Sequence, residues 1–178
     1  MVNEIVLPEC KPELEWILGR AVQKVSPKRP HALLQRALGA RLGTWAEGRG
    51  DVGTEWRFRL QPPGEVIRPL VPDVSYLSYA RMGDASDDAL DVPLMAPDAA
   101  FEIRSPGDRQ AHIDHKIGVY LACGCSVIVV IDPAARSLES YDRDGVHRFG
   151  GDDVFEHASL PGFALPLNEL FAVLIRPR

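Results

Sequence analysis

Cysteine is scarce: only Cys10, Cys123 and Cys125 occur in 178 residues. They are too few and too oddly spaced for a disulfide framework, and Cys-Gly-Cys lacks the two-residue gap of a common metal knuckle. Reduced thiols in ordinary packing roles are the expectation. Long apolar runs are also missing. The β-branched run Val127 to Ile131 falls far short of the roughly 18 residues a membrane span needs. The N-terminus has no basic-then-apolar signal pattern, so a cytoplasmic location is expected. Positive charge is not in excess: the formal net charge of −5 argues against coating nucleic acid through a global field. That balance leaves room for a local basic groove, or for a carboxylate site that needs a cation. Internal repeats and low-complexity tracts are absent, which excludes solenoids and extended disorder.

What remains is an ordinary globular composition, 46% hydrophobic and 25% charged. The length suits a single domain over residues 1–178, burying about 70% of the surface its unfolded form exposes. The opening LEWILGRAVQKVSP gives two short runs around Gly19-Arg20, a hairpin signal. Pro27 and Pro30 break the chain. From His31 to about Glu47, Leu33, Leu34, Ala37, Leu38, Leu42 and Trp45 form one apolar helical face, with Arg36 and Arg41 off it. Val52 to Leu60 alternates Trp56 and Phe58 with Glu55, Arg57 and Arg59, as a half-buried strand would. After the turn Pro62-Pro63-Gly64-Glu65, strand resumes over Val71 to Leu77 with Asp73 at its head. Residues 82–96, carrying Asp84, Asp87, Asp88 and Asp91, are expected to be an acidic loop without regular structure.

Asp98 to Arg104 alternates again, sending Phe101 and Ile103 to one side and Asp98, Ala100, Glu102 and Arg104 to the other. The charged side must face a cleft, water or a cation, because an unpaired buried carboxylate is costly. Ser105-Pro106-Gly107-Asp108 ends this strand and offers caps for a helix running to about Ala122. Its apolar stripe is Ile113, Ile117, Tyr120 and Leu121, with Lys116 at the edge, one turn from His112 and Tyr120. Ser126 to Ile131 predicts a central strand covered on both faces. Strands over Arg136 to Asp142 and Val146 to Phe149 are joined by a tight Asp144-Gly145 turn. A short strand and one or two helical turns around Leu167 to Phe171 close the chain.

The order PDVSY, acidic loop, PDAAFEIRSP, HKIGVYLACG, then VIVVIDPAAR resembles the Uma-two restriction endonuclease family, within the PD-(D/E)XK nuclease superfamily. EWILGRAVQKVSP with His31 is similar to that family's opening hairpin and helix, so the likeness runs along the whole chain. The resemblance implies an α/β fold: a restriction endonuclease-like core of mixed β-sheet flanked by helices, preceded by a β-hairpin. It implies that Asp73 and Glu102 hold a divalent metal, Mg²⁺ or Mn²⁺, with the backbone carbonyl of Ile103 as third ligand. Asp98, on the face of Glu102, is either a further ligand or a strand-start residue. The superfamily's lysine normally follows the acid by two residues. Here that residue is Arg104, which shifts the role to Lys116 on the following helix. Glu15 and His31 match family positions that approach the site.

The chemistry implied is phosphodiester hydrolysis in DNA, by an enzyme that cuts both strands most simply as a homodimer. Lys116 would orient water and stabilise developing charge, while Arg104, Arg109 and His31 would line the substrate path. Bland readings compete. An aspartate after proline is often a turn residue, a strand glutamate is usually solvated, and a helix lysine usually snorkels. His112 and His115, three apart, suggest zinc, but nothing nearby completes a ligand set and exposed histidines are the simpler reading. Arg104 in the lysine position also supports a different class: an inactive nuclease-fold module that binds nucleic acid or a protein partner.

Overall fold

A computed structural model describes residues 3–176. A hairpin of β1 (Leu14–Ile17) and β2 (Arg20–Gln23) leads to the long helix α1 (Arg29–Ala46). Then come β3 (Gly50–Thr54), β4 (Phe58–Leu60), β5 (Arg68–Leu70) and β6 (Val74–Ser78). Two short helices, α2 (Tyr79–Met82) and α3 (Asp87–Asp91), precede β7 (Ala99–Ile103), α4 (Gln110–Ala122) and β8 (Val127–Asp132). The chain ends with β9 (Ser137–Asp142), β10 (Gly145–Gly150), β11 (Val154–Phe155), β12 (Leu165–Pro166) and α5 (Leu167–Ala172).

Six strands form a mixed sheet in the order β10-β9-β8-β7-β6-β3. Only β7 and β8 run parallel, which requires the crossover that α4 provides. The alternation seen in the sequence divides the sheet's two faces. Phe101, Ile103, Val129 and Ile131 pack with Leu34, Leu38 and Leu42 of α1 and with Leu167 and Phe171 of α5. Ala100, Ile128 and Val130 pack with Ile113, Ile117 and Tyr120 of α4. Glu102 shares the parity of Ala100, so it points to the α4 side. No helix among the described residues is long and apolar enough to cross a membrane. The cysteines are free thiols, and burial pushes that of Cys125 up to about 12, consistent with a packing role.

Several local expectations change. The hairpin turn lies at Leu18-Gly19, both with positive φ, so Ile17 pairs with Arg20 in a type I′ geometry. Pro30 lies inside the first turn of α1, where its missing N–H costs nothing. Val52 to Leu60 is not one strand. Glu55 turns into the left-handed region at φ 52°, and Phe58–Leu60 then pairs with Arg68–Leu70 in a separate sheet. The acidic segment contains regular structure, because Ser86 accepts from the Ala89 N–H and caps α3. Asp108 does not cap α4: its carboxylate accepts from the Ser105 N–H at 2.7 Å, and Arg109 at the cap makes no side-chain bond.

Gly50, at the start of β3, leaves no space for a side chain. A Cβ there would come within 2.7 Å of the Ser78 Cα, with the Leu77 carbonyl oxygen closer still. Gly50→Ala is therefore expected to destabilise the protein by about 1–3 kcal/mol, read as a lower urea midpoint. An unchanged midpoint would mean that β3 is not seated against β6 as described.

Candidate active site

Two strands deliver the carboxylates. Val74 pairs with Phe101 in the antiparallel β6–β7 ladder. One step outward, the same register sets Asp73 across from Glu102, with both side chains on one face. The Asp73 Oδ2 accepts from the Ile103 N–H at 2.7 Å, which locks the first acid to the strand bearing the second. The crossover helix supplies the ammonium. Lys116 Nζ lies 2.6 Å from Glu102 Oε1 and 2.8 Å from Glu15 Oε1. One turn further along α4, the Tyr120 hydroxyl donates to Glu102 Oε1 at 3.2 Å. Both contacts to Glu102 thus fall on one oxygen.

The hairpin closes the other side. Glu15 Oε1 accepts from the Val71 N–H at 2.8 Å, and Lys24 Nζ donates to the Val71 carbonyl at 2.8 Å. Lys24 also donates to Asp73 Oδ1 at 2.6 Å. From α1, His31 Nε2 lies 3.1 Å from Asp73 Oδ2, and Gln35 donates to the Asp73 carbonyl at 2.9 Å. Glu15, Lys24, His31, Asp73, Glu102 and Lys116 border a cavity of about 210 Å³ that is also lined by Ile103, Arg104, Arg109 and His112.

Asp73, Lys116, Glu15 and His31 are 3%, 6%, 4% and 7% exposed, so their charges interact in a poorly screened space. Burial pushes the Asp73 carboxyl up, but Lys24, His31 and Lys116 pull it further the other way, and it stays well below the usual carboxylate range. For Glu102 burial wins over Lys116, and nearby Asp73 adds to it, so its carboxyl is pushed up to about 7. Burial lowers the two lysines, yet the surrounding carboxylates more than offset this and hold both above the ordinary lysine value. Burial and the Glu102 charge raise Tyr120 well above the ordinary phenol value, so its hydroxyl remains a donor.

The structure brings Asp73, Glu102, Lys116, Ile103, Glu15 and His31 together at the cavity, with Arg104 and Arg109 also lining it. The Arg104 guanidinium donates to Gln110 Oε1. Asp98 is not among the lining residues. Its carboxylate accepts from the Ser78 N–H at 2.7 Å and from Arg81 Nε at 2.9 Å, which makes it a strand-start residue. His112 lines the cavity and lies 3.4 Å from an Arg20 guanidinium nitrogen. His115 is not simply exposed: its Nε2 is buried without a hydrogen-bond partner among the described residues. Among the described residues, no three His, Cys, Asp or Glu side chains are grouped to hold a metal by side chains alone.

Sequence reasoning passed over Lys24, Gln35 and the Tyr120 hydroxyl. Lys24 had a signal. With the turn at Leu18-Gly19, Glu15 pairs with Val22, and Lys24 two residues later falls on the same hairpin face.

The oxygen-rich donor set fits a hard divalent cation. Two carboxylates and one backbone carbonyl suffice for an ion that keeps several of its waters. The charge balance fits as well, since the three carboxylates Glu15, Asp73 and Glu102 outnumber the two ammoniums of Lys24 and Lys116 that contact them.

The sequence model of the Uma2 family, described as "Putative restriction endonuclease", matches residues 6–168. The chain belongs to the Uma2 family. Its fold is similar to the crystal structure of "a putative nuclease belonging to DUF820 from Anabaena variabilis ATCC 29413". The TM-score is 0.84 at 25% identity, covering 95% of each chain. No functionally curated protein matches the chain significantly. The mixed sheet flanked by helices agrees with that similarity of fold.

Proposed function

We propose that this Uma2 protein is a divalent-metal-dependent endonuclease that hydrolyses phosphodiester bonds in DNA. One observation carries the reading: Asp73, Glu102 and the Lys116 ammonium, from three separate elements, meet at one cavity lined by two arginines. Asp73, Glu102 and the Ile103 carbonyl would hold Mg²⁺ or Mn²⁺. Such a cation, when bound, neutralises phosphoryl oxygens and makes a nucleophilic hydroxide accessible near neutral pH.

The chain's own groups do the remaining work. Lys116, fixed between Glu15 and Glu102, presents a compact positive charge where the transition state gains negative charge. The Ile103 N–H and His31 fix Asp73 Oδ2 before substrate arrives, which reduces reorganisation during the reaction. Half-buried Arg104 and exposed Arg109 line the cavity and suit the phosphates flanking the scissile bond. Two copies related by a twofold axis would cut both strands of a duplex. Free cysteines and a DNA substrate fit action in the cytoplasm.

The second reading, an inactive nuclease-fold module that binds nucleic acid or a protein partner, draws on Arg104 in the usual lysine position. The 2.6 Å contact of Lys116 with Glu102 favours the active reading, because an ammonium reaches the acid from the helix. Supercoiled plasmid incubated with Mg²⁺ or Mn²⁺ distinguishes the two. Wild type should nick and linearise it, and Asp73→Ala and Glu102→Ala should each slow cleavage by about a thousandfold or more. Equal cleavage by all three proteins would sink the assignment.

A further inference from the structure

The hairpin lysine has no part in the proposed chemistry, yet it holds the proposed ligand Asp73. Lys24 Nζ lies 2.6 Å from Asp73 Oδ1 and 2.8 Å from the Val71 carbonyl, and its side chain is only 12% exposed. The same hairpin face anchors the neighbouring backbone through Glu15, which accepts the Val71 N–H. Both polar atoms of Val71 are thereby clamped by one hairpin, and the clamp delivers an ammonium to a carboxylate oxygen suited to a metal.

Charge decides what that ammonium can do. Three carboxylates against two ammoniums leave these five groups with one net negative charge. A divalent cation added beside both lysines would drive this poorly solvated cluster to an excess positive charge. With Lys24 withdrawn from Asp73, the cluster with the cation is neutral. A +1 and a +2 charge on one carboxylate repel strongly at low effective dielectric. Lysine, a point charge on a flexible four-carbon stem, can swing away where a rigid guanidinium fork could not.

We propose that Lys24 is a built-in competitor for the metal: its ammonium occupies Asp73 in the metal-free protein and leaves when a divalent cation binds. Lys24 is then a positioning residue that sets metal affinity and keeps Asp73 ionised and oriented. The proposal rests on the reading of Asp73 as a metal ligand. Lys116 differs, because it bridges Glu15 and Glu102 and remains in place.

Isothermal titration of Mn²⁺ into wild type, Lys24→Met and Lys24→Gln tests this, with thermal melts to show that each variant folds. Both variants remove the ammonium and keep most of the stem. Each should bind Mn²⁺ about tenfold tighter or more than wild type. A lysine that served only to hold the hairpin would leave affinity unchanged or weaken it on removal, and either result overturns the proposal. Two variants that both fail to fold would assign Lys24 a structural role and overturn it as well. The nuclease reading fails separately: there, neither wild type nor variants would bind Mn²⁺ and wild type would not cut plasmid. Mn²⁺ binding at equal affinity in all three proteins would sink only the role of Lys24.

Discussion

Lys116→Met should abolish measurable plasmid cleavage and cost about 3–5 kcal/mol of stability at pH 8. Its ammonium is the shared partner of Glu15 and Glu102, at 2.8 and 2.6 Å, inside a site where water screens little. Methionine keeps most of the apolar stem, so the loss isolates the charge. Breaking a buried pair from one side leaves the other charge uncompensated, and here two carboxylates lose one counterion. Cleavage should fall by about a thousandfold or more, the upper end of the range for removing one preorganised donor to a developing anion, and so below what the plasmid assay registers. The stability loss should shrink toward pH 5.5, because Glu102, already pushed up to about 7, is protonated there and needs no counterion. Urea unfolding at both pH values checks this; an equal loss at each would mean that Lys116 acts through packing alone.

Glu102→Gln should also abolish cleavage, yet it should stabilise the fold at alkaline pH. The folded protein keeps the Glu102 proton up to about pH 7, whereas the unfolded chain releases it near the ordinary value of 4.5. The folded state therefore binds more protons across that window, and stability falls as pH climbs through it. Above pH 7 the full cost of an ionised, buried Glu102 remains. Glutamine has the same shape and is never ionised. The variant should match wild type near pH 4.5 and exceed it at pH 8.5 by about 2 kcal/mol, on the order of 5 °C in melting temperature. Asp73 contributes with opposite sign: its lowered carboxyl stabilises the fold above the ordinary carboxylate range and that contribution is lost only on strong acidification, equally in both proteins. A melting curve for Glu102→Gln that tracks wild type at every pH would contradict the burial assigned to this acid.

Both predictions concern residues whose place could be read from local patterns. Glu102 stood on the charged side of an alternating strand, Asp73 at a strand head, and Lys116 beside an apolar helical stripe. Period-two and helical spacing decide which face a residue takes, and the resemblance ordered the three along the chain. The helices and the N-terminal hairpin followed from local patterns of the same kind, and the mixed sheet from the resemblance. What escaped depended on contacts distant in sequence or on single backbone angles. Lys24 meets Asp73 across 49 positions, a contact made only when the hairpin docks on the Val71 segment. Asp98 shares the parity of Glu102 but lies at the opposite end of β7, where Arg81 and the Ser78 N–H claim it. The left-handed Glu55 divided a segment whose alternation suggested one strand. The acidic segment looked like a loop by charge, yet Ser86 caps a short helix within it.

Asp73 and Glu102 are expected to bind one divalent cation beside Lys116. Crystals soaked in Mn²⁺ and measured for anomalous scattering test it most directly. One strong peak is expected in the cavity, in direct contact with a carboxylate oxygen of each acid and with the Ile103 carbonyl oxygen. A cavity without a peak at saturating Mn²⁺, or a peak that one of the two acids does not touch, would contradict it.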